Sequence, residues 1–160
     1  MDRRKENLLN WIEEDRNRLI DFLSRFIQIR TPNPPGDTRE AAAFVCRFLD
    51  IDHLPYLVIA PQPEMPNIVA TFEGGSPGRH LVLNGHMDVF PVDEQEEWAH
   101  GPWSGTVIDG KVFGRGACDM KCGTTASLFT FYYLSRIHDQ LKGRLTLTVV
   151  SDEETFGPWG

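Results

Sequence analysis

From Leu8 to Ile29 the apolar residues Leu8, Ile12, Leu19, Phe22, Leu23, Phe26 and Ile27 recur at spacings of three and four, with charges between them. That period lays one apolar stripe along a cylinder and predicts an amphipathic helix over the segment. "RTPNPPGD" then breaks the pattern with prolines and a glycine, and Asp37 or Thr38 can cap a second helix, "TREAAAFVCRFLD". Short β-rich runs follow at "YLVIA", "NIVATFE" and "HLVLNGH". "TVIDGKVFGRG" reads as a hairpin turning at Asp109-Gly110. The stripe Leu128, Phe131 and Leu134 predicts a further helix packed on a sheet. "GRLTLTVVSDEE" closes the pattern as a strand with apolar residues on both faces near its end, the mark of a central position. Helices and strands in this order predict a layered α/β domain.

Composition narrows the class. At 160 residues the chain has room for one domain with a substantial core. A content of 41% hydrophobic and 24% charged residues is that of a globular protein rather than a disordered one. The net charge of −7 comes from acids spread along the chain, and no basic stripe interrupts them, which argues against nucleic acid and anionic membrane as partners. No apolar run approaches the roughly 20 residues of a membrane span. Three cysteines, Cys46, Cys118 and Cys122, make an odd count with no disulfide framework, which fits a reducing, cytoplasmic location.

Three polar clusters fall where apolar elements end: "GHMD", "CDM" and "DEE". Sites in open α/β sheets assemble at strand ends. His86 offers an imidazole, and the Asp88 carboxylate, two residues on, can accept the ring's other N–H and fix its tautomer. Asp119, Glu153 and Glu154 add oxygen ligands and a spare base. One histidine with several carboxylates suits zinc, cobalt or manganese. Each residue also has a plainer reading taken alone: His86 as a satisfied histidine, Asp88 as a turn cap, Asp119 as a helix N-cap, and the two glutamates as solvated acids. Cys118 and Cys122 form a lone C-x3-C without further soft ligands, and His53, His80, His100 and His138 read as surface or loop histidines. "GRGACDMKCG" places Asp119 where a phosphate loop needs its third glycine, which argues against nucleotide binding.

The segments "LVLNGHMDVFPV", "GPWSGTVIDGKVFGRGACDMKCG" and "VVSDEETFGPWG" resemble, in order and spacing, the acetylornithine deacetylase, succinyl-diaminopimelate desuccinylase, aminoacylase and glutamate carboxypeptidase family of metallopeptidases. "RTPNPPGDTREAAAFV" resembles that family's N-terminal segment. The resemblance implies the N-terminal portion of a zinc-exopeptidase-like three-layer α/β/α catalytic domain with a mixed sheet. It implies two divalent ions, zinc before cobalt or manganese, bridged by Asp119, with His86 on one ion and Glu154 on the other. Glu153 takes the place of the general base and Asp88 that of the acid orienting the histidine. The bond from Asp119 to Met120 is expected to be cis.

The implied activity is hydrolysis of an amide bond in an N-acyl amino acid or small peptide by a metal-activated water. Family chains are longer, with two further ligands downstream and a lid domain that contacts substrate and often forms a homodimer. Residues 1–160 are therefore expected to be an incomplete catalytic domain, inactive or nearly so alone. The competing expectation is a noncatalytic, metal-free module that keeps the fold for partner binding.

Overall fold

A computed structural model describes residues 3–93, 95 and 97–160. The described elements are helices α1 (Arg3–Glu14), α2 (Arg16–Gln28), α3 (Arg39–Ile51) and α4 (Lys121–Ser135), with strands β1 (Tyr56–Ile59), β2 (Asn67–Glu73), β3 (Ser76–His86), β4 (Thr106–Ile108), β5 (Lys111–Phe113) and β6 (Lys142–Val150). The segment expected to be one helix is divided at Asp15, which sits at φ −89° and ψ 7°. Backbone bonds from Asp15 N to Trp11 O and from Leu19 N to Asp15 O bridge the joint, so the chain bends while its ladder continues. The bend is tied by side chains. Tyr133 donates its hydroxyl to Asp15 Oδ2 at 3.2 Å, and the Arg136 guanidinium lies 3.7 Å from the centre of the Trp11 ring.

Thr38 occupies the N-cap position of α3, yet its hydroxyl bonds Ser151 Oγ at 2.7 Å instead of the helix. Asp37 supplies the capping contact, taking the Arg39 N–H at 3.2 Å. Asp109 and Gly110 turn the β4–β5 hairpin with φ of 50° and 73°, as a tight Asp-Gly turn requires.

The main sheet has the order β1-β2-β6-β3, so β6 is central as its sequence predicts. β3 runs parallel to β6 while β1, β2 and β6 pair antiparallel, giving a mixed sheet. Alternation then divides its faces. Ile68, Ala70 and Phe72 stand opposite Val149, Leu147 and Leu145, and this face joins one core with α2, α3 and α4. Phe22, Phe26, Phe44, Phe48 and Phe129 fill that core as a ring cluster with neighbouring centroids 4.5–5.9 Å apart. Each buried phenylalanine contributes about 1.5–3 kcal/mol.

The opposite face carries a polar ladder: Thr71 to Thr146 at 2.9 Å, His80 Nε2 to Thr146 Oγ1 at 2.8 Å, and Thr148 to Asn84 at 2.5 Å. The described helices thus form one layer and the sheet a second. Leu57, Val58 and Ile59 on β1, and Leu81 and Val82 on β3, are exposed along the outer strands, as expected of sheet edges left bare.

Lys121 links the helical layer to the site. It is fully buried at the start of α4, and its Nζ donates to Phe26 O at 2.9 Å and Ile29 O at 2.6 Å, carbonyls at the end of α2 that lack helical partners. Burial, partly offset by Glu40, pulls its ammonium down to about 7. Two N–H groups remain even in the neutral amine, enough for both carbonyls. Lys121→Met is expected to lower stability by about 2–4 kcal/mol, because it leaves these carbonyls buried without a donor. Urea unfolding monitored by circular dichroism checks this, and an unchanged midpoint contradicts it.

Candidate metal centre

The end of β3 is set by its approach to α4. A Cβ on Gly85 would lie 2.5 Å from Thr124 Oγ1, so only glycine admits the helix so close. Thr124 uses that proximity to donate to His86 O at 2.9 Å. The His86 ring is buried, with Nδ1 2.9 Å from the Asp88 backbone carbonyl and 3.4 Å from Asp88 Oδ1. The carbonyl, rather than the carboxylate expected from sequence, is thus the nearer partner of the ring. Nδ1–H donates there, which leaves Nε2 as the ring nitrogen open to a metal ion. Nε2 faces Asp119 Oδ1 at 3.3 Å and Glu153 Oε2 at 3.5 Å.

Asp88 is wholly buried. Its Oδ2 accepts the Asn33 amide at 2.9 Å and the Glu154 N–H at 3.0 Å. Burial pushes its carboxyl up, but His86, Asn33 and the Glu154 and Glu153 N–H groups together hold it below the usual carboxylate range. Through those backbone bonds Asp88 fastens the turn after β6 against the turn after β3. Asp152, also buried, shapes the first of these turns by accepting Thr155 Oγ1 at 2.8 Å and the Trp159 N–H at 3.2 Å.

Asp119 precedes α4, but Met120 occupies the N-cap position and the Asp119 side chain is 78% exposed, so the plain capping reading does not hold. The Asp119-Met120 bond is cis, as the resemblance implies. Glu154 is half-buried, and its Oε1 accepts the Phe90 N–H at 3.0 Å. Burial and the charge of Asp119 push its carboxyl up. Glu153 is exposed beside a depression of about 570 Å³ lined also by Asn84, Thr148, Val150 and Phe156.

All five expected residues therefore converge, although they come from three separate chain segments. One ligand atom from each of His86, Asp119 and Glu154 lies within 4.8 Å of the others. The Asp119 and Glu154 carboxylates repel each other, and a divalent cation between them would relieve that repulsion and take the imidazole proton's place, so the donor set fits such an ion. His80 and His138 bond Thr146 and Ser135, and His100 packs on Phe113, all outside this group. Cys122 Sγ donates to Cys118 O at 3.1 Å. Asn33, Asp152, Thr124 and Lys121 escape sequence reading. The buried Asp152 sits inside an acid run that pattern alone treats as surface, and Asn33 inside a segment read only as a helix breaker.

Burial pushes the His86 imidazolium down, but the Asp88 carboxylate and carbonyl and the Glu153 charge outweigh it and raise the ring to about 9 in the metal-free protein. A folded value above the unfolded one of about 6.5 means that this stabilisation is full below pH 6.5 and is lost as pH rises through 9. Metal-free protein is therefore expected to lose stability between pH 6.5 and 9, while His86→Gln does not show this loss. Thermal melts across that range test it, and parallel pH profiles for the two proteins contradict it.

Residues 82–160 match the profile of "Peptidase family M20/M25/M40". Over 93% of its length the chain is 34% identical to an N-formyl-4-amino-5-aminomethyl-2-methylpyrimidine deformylase of Halalkalibacterium halodurans. Over 58% it is 43% identical to a succinyl-diaminopimelate desuccinylase of Methylorubrum extorquens. The chain spans 36% of the deformylase and the matched segment 24% of the desuccinylase. Human carnosine dipeptidase 1 shares the fold, with a TM-score of 0.77 at 20% identity over 96% of this chain and 36% of that one.

Proposed function

For a chain that belongs, through residues 82–160, to peptidase family M20/M25/M40, we propose metal-dependent hydrolysis of an amide bond as the activity of the complete catalytic unit. The observation that carries this reading is the convergence of His86 Nε2 with the Asp119 and Glu154 carboxylates, with Glu153 beside them. Two divalent ions would be held by Asp119 together with His86 and Glu154. Zinc, cobalt or manganese suits these donors. Bound there, the ions supply a water of lowered pKa and polarise the scissile carbonyl.

The chain's own residues do the remaining work. Glu153, exposed and 3.5 Å from the His86 ring, takes a proton from the attacking water and returns it to the leaving nitrogen. Asp88 and its backbone carbonyl hold the His86 tautomer, and the Phe90 N–H fixes one oxygen of Glu154. The products are a free amine and a carboxylate. The substrate class is an N-acylated amine, amino acid or small peptide, with the depression beside Glu153 open to it.

No described helix is long and apolar enough to cross a membrane. A reducing cytoplasm suits the free thiols of Cys46, Cys118 and Cys122. Residues 1–160 form an incomplete catalytic domain in this reading. They would supply two ligands to each ion where a catalytic zinc takes three, so the isolated chain would hold metal with positions left open and turn over slowly or not at all. A lid that completes the substrate site and pairs two copies belongs to the longer form.

Elemental analysis after equilibration with zinc or cobalt tests the proposal. The 160-residue chain is expected to retain metal, Glu153→Gln to retain as much, and Asp119→Ala to lose it. No metal in the parent chain would favour the noncatalytic module. Hydrolysis of N-formyl or N-acetyl amino acids by the isolated chain would refute its inactivity.

A further inference from the structure

Asn33 lies between α2 and α3, far in sequence from every residue of the metal centre, yet its backbone is locked beside that centre. Its N–H donates to Val89 O at 2.9 Å, Thr31 Oγ1 donates to Met87 O at 2.6 Å, and Pro32 forms a parallel bridge with Val89. Residues 31–33 therefore run as a short strip along residues 87–89. The side chain is 3% exposed.

Its Nδ2 is 2.9 Å from Asp88 Oδ2 and 2.9 Å from Asp152 Oδ1. Ionised carboxylates accept only, so the amide nitrogen must face both, and its two hydrogens are both used. The two acids it joins are themselves buried, at 0% and 4% exposure. Asp88 holds the Glu154 backbone with its carboxylate and the His86 ring with its backbone carbonyl, while Asp152 holds the Thr155 hydroxyl and the Trp159 N–H. One neutral fork thus spans the strand end carrying the histidine and the turn carrying the two glutamates.

We propose that Asn33 is a positioning residue of the metal centre, setting the separation of the His86 and Glu153-Glu154 segments by donating one amide hydrogen to Asp88 and the other to Asp152. It touches neither metal nor substrate and acts through the two carboxylates. The requirement is a short side chain with two donors on one atom. Serine is too short to reach both acids, and aspartate would place a third acceptor between two buried acceptors. Glutamine adds a methylene to a buried position.

The inference rests on the metal-binding reading above, and its test separates the two. Cobalt affinity is measured by competition with a chromophoric chelator, alongside thermal melts of the metal-free proteins. Asn33→Asp is expected to weaken cobalt binding about tenfold or more and to lower the melting temperature. The exchange Asn33→Asp with Asp152→Asn restores a donor and acceptor between positions 33 and 152 and the original net charge, but gives Asp88 no donor. It is expected to recover most of the melting temperature while the affinity stays at least tenfold weak.

Recovery of affinity together with stability would show a merely structural role and overturn the proposal. Asn33→Ser, a smaller disturbance, provides the same reading if the aspartate variants do not fold: tenfold weaker cobalt binding is expected, and parental affinity overturns the proposal. Absence of cobalt binding in the parent chain would instead refute the metal-binding reading itself.

Discussion

Burying the Asp88 carboxylate costs several kcal/mol unless its oxygens find partners, and the site is arranged around supplying them. Asn33 and the Glu154 N–H meet Oδ2, and the His86 ring lies at ion-pair distance from Oδ1. The two donors come from distant parts of the chain, the loop after α2 and the turn after β6, while the His86 ring at the end of β3 gives its Nδ1–H to the Asp88 backbone carbonyl. The same contacts that make the buried charge tolerable therefore fix three segments relative to one another. Asp119, delivered by the turn before α4, is the fourth arrival, and Lys121 anchors that turn by capping α2. Losing the Asp88 charge would release the Asn33 loop and the Glu154 turn together, whereas the His86 ring would keep its bond to the Asp88 backbone carbonyl.

The sheet shows why the site lies where it does. β3 and β6 are parallel neighbours, so their C-terminal ends emerge side by side, and the turns leaving them place His86 and Glu153 within reach of each other. Gly85 lets α4 approach β3 closely enough for Thr124 to bond the His86 carbonyl. The aromatic core beneath holds the helices rigidly on one face, while the Thr and Asn ladder on the other face satisfies its polar groups without a covering layer.

Much of this was legible in the sequence, for physical reasons. Alternation and β-branched content located β1, β2, β3 and β6, and the Asp109-Gly110 dipeptide located the hairpin, because these signals act within a few residues. His86, Asp88, Asp119, Glu153 and Glu154 were visible because each ends an apolar run, where a buried strand meets polar chemistry. The break at Asp15 was not visible, because the apolar period continues through it and the bend depends on Tyr133, a contact 118 residues away. Asn33 and Asp152 were missed for the same reason. Their roles come from a bond spanning 119 residues, and local pattern reads one as a loop residue and the other as a surface acid.

The buried Asp88 carboxylate ties the Asn33 loop and the Glu154 turn to the strand end carrying His86, and in the proposed function that junction, with Asp119, binds metal. Anomalous diffraction from crystals of this chain grown with zinc tests it most directly. Density is expected between His86 Nε2 and the Asp119 and Glu154 carboxylates, with Asp88 still bonded to Asn33 and the Glu154 N–H. Zinc found only at surface groups such as His53 or His100, with the His86 ring turned away from Asp119, would contradict it.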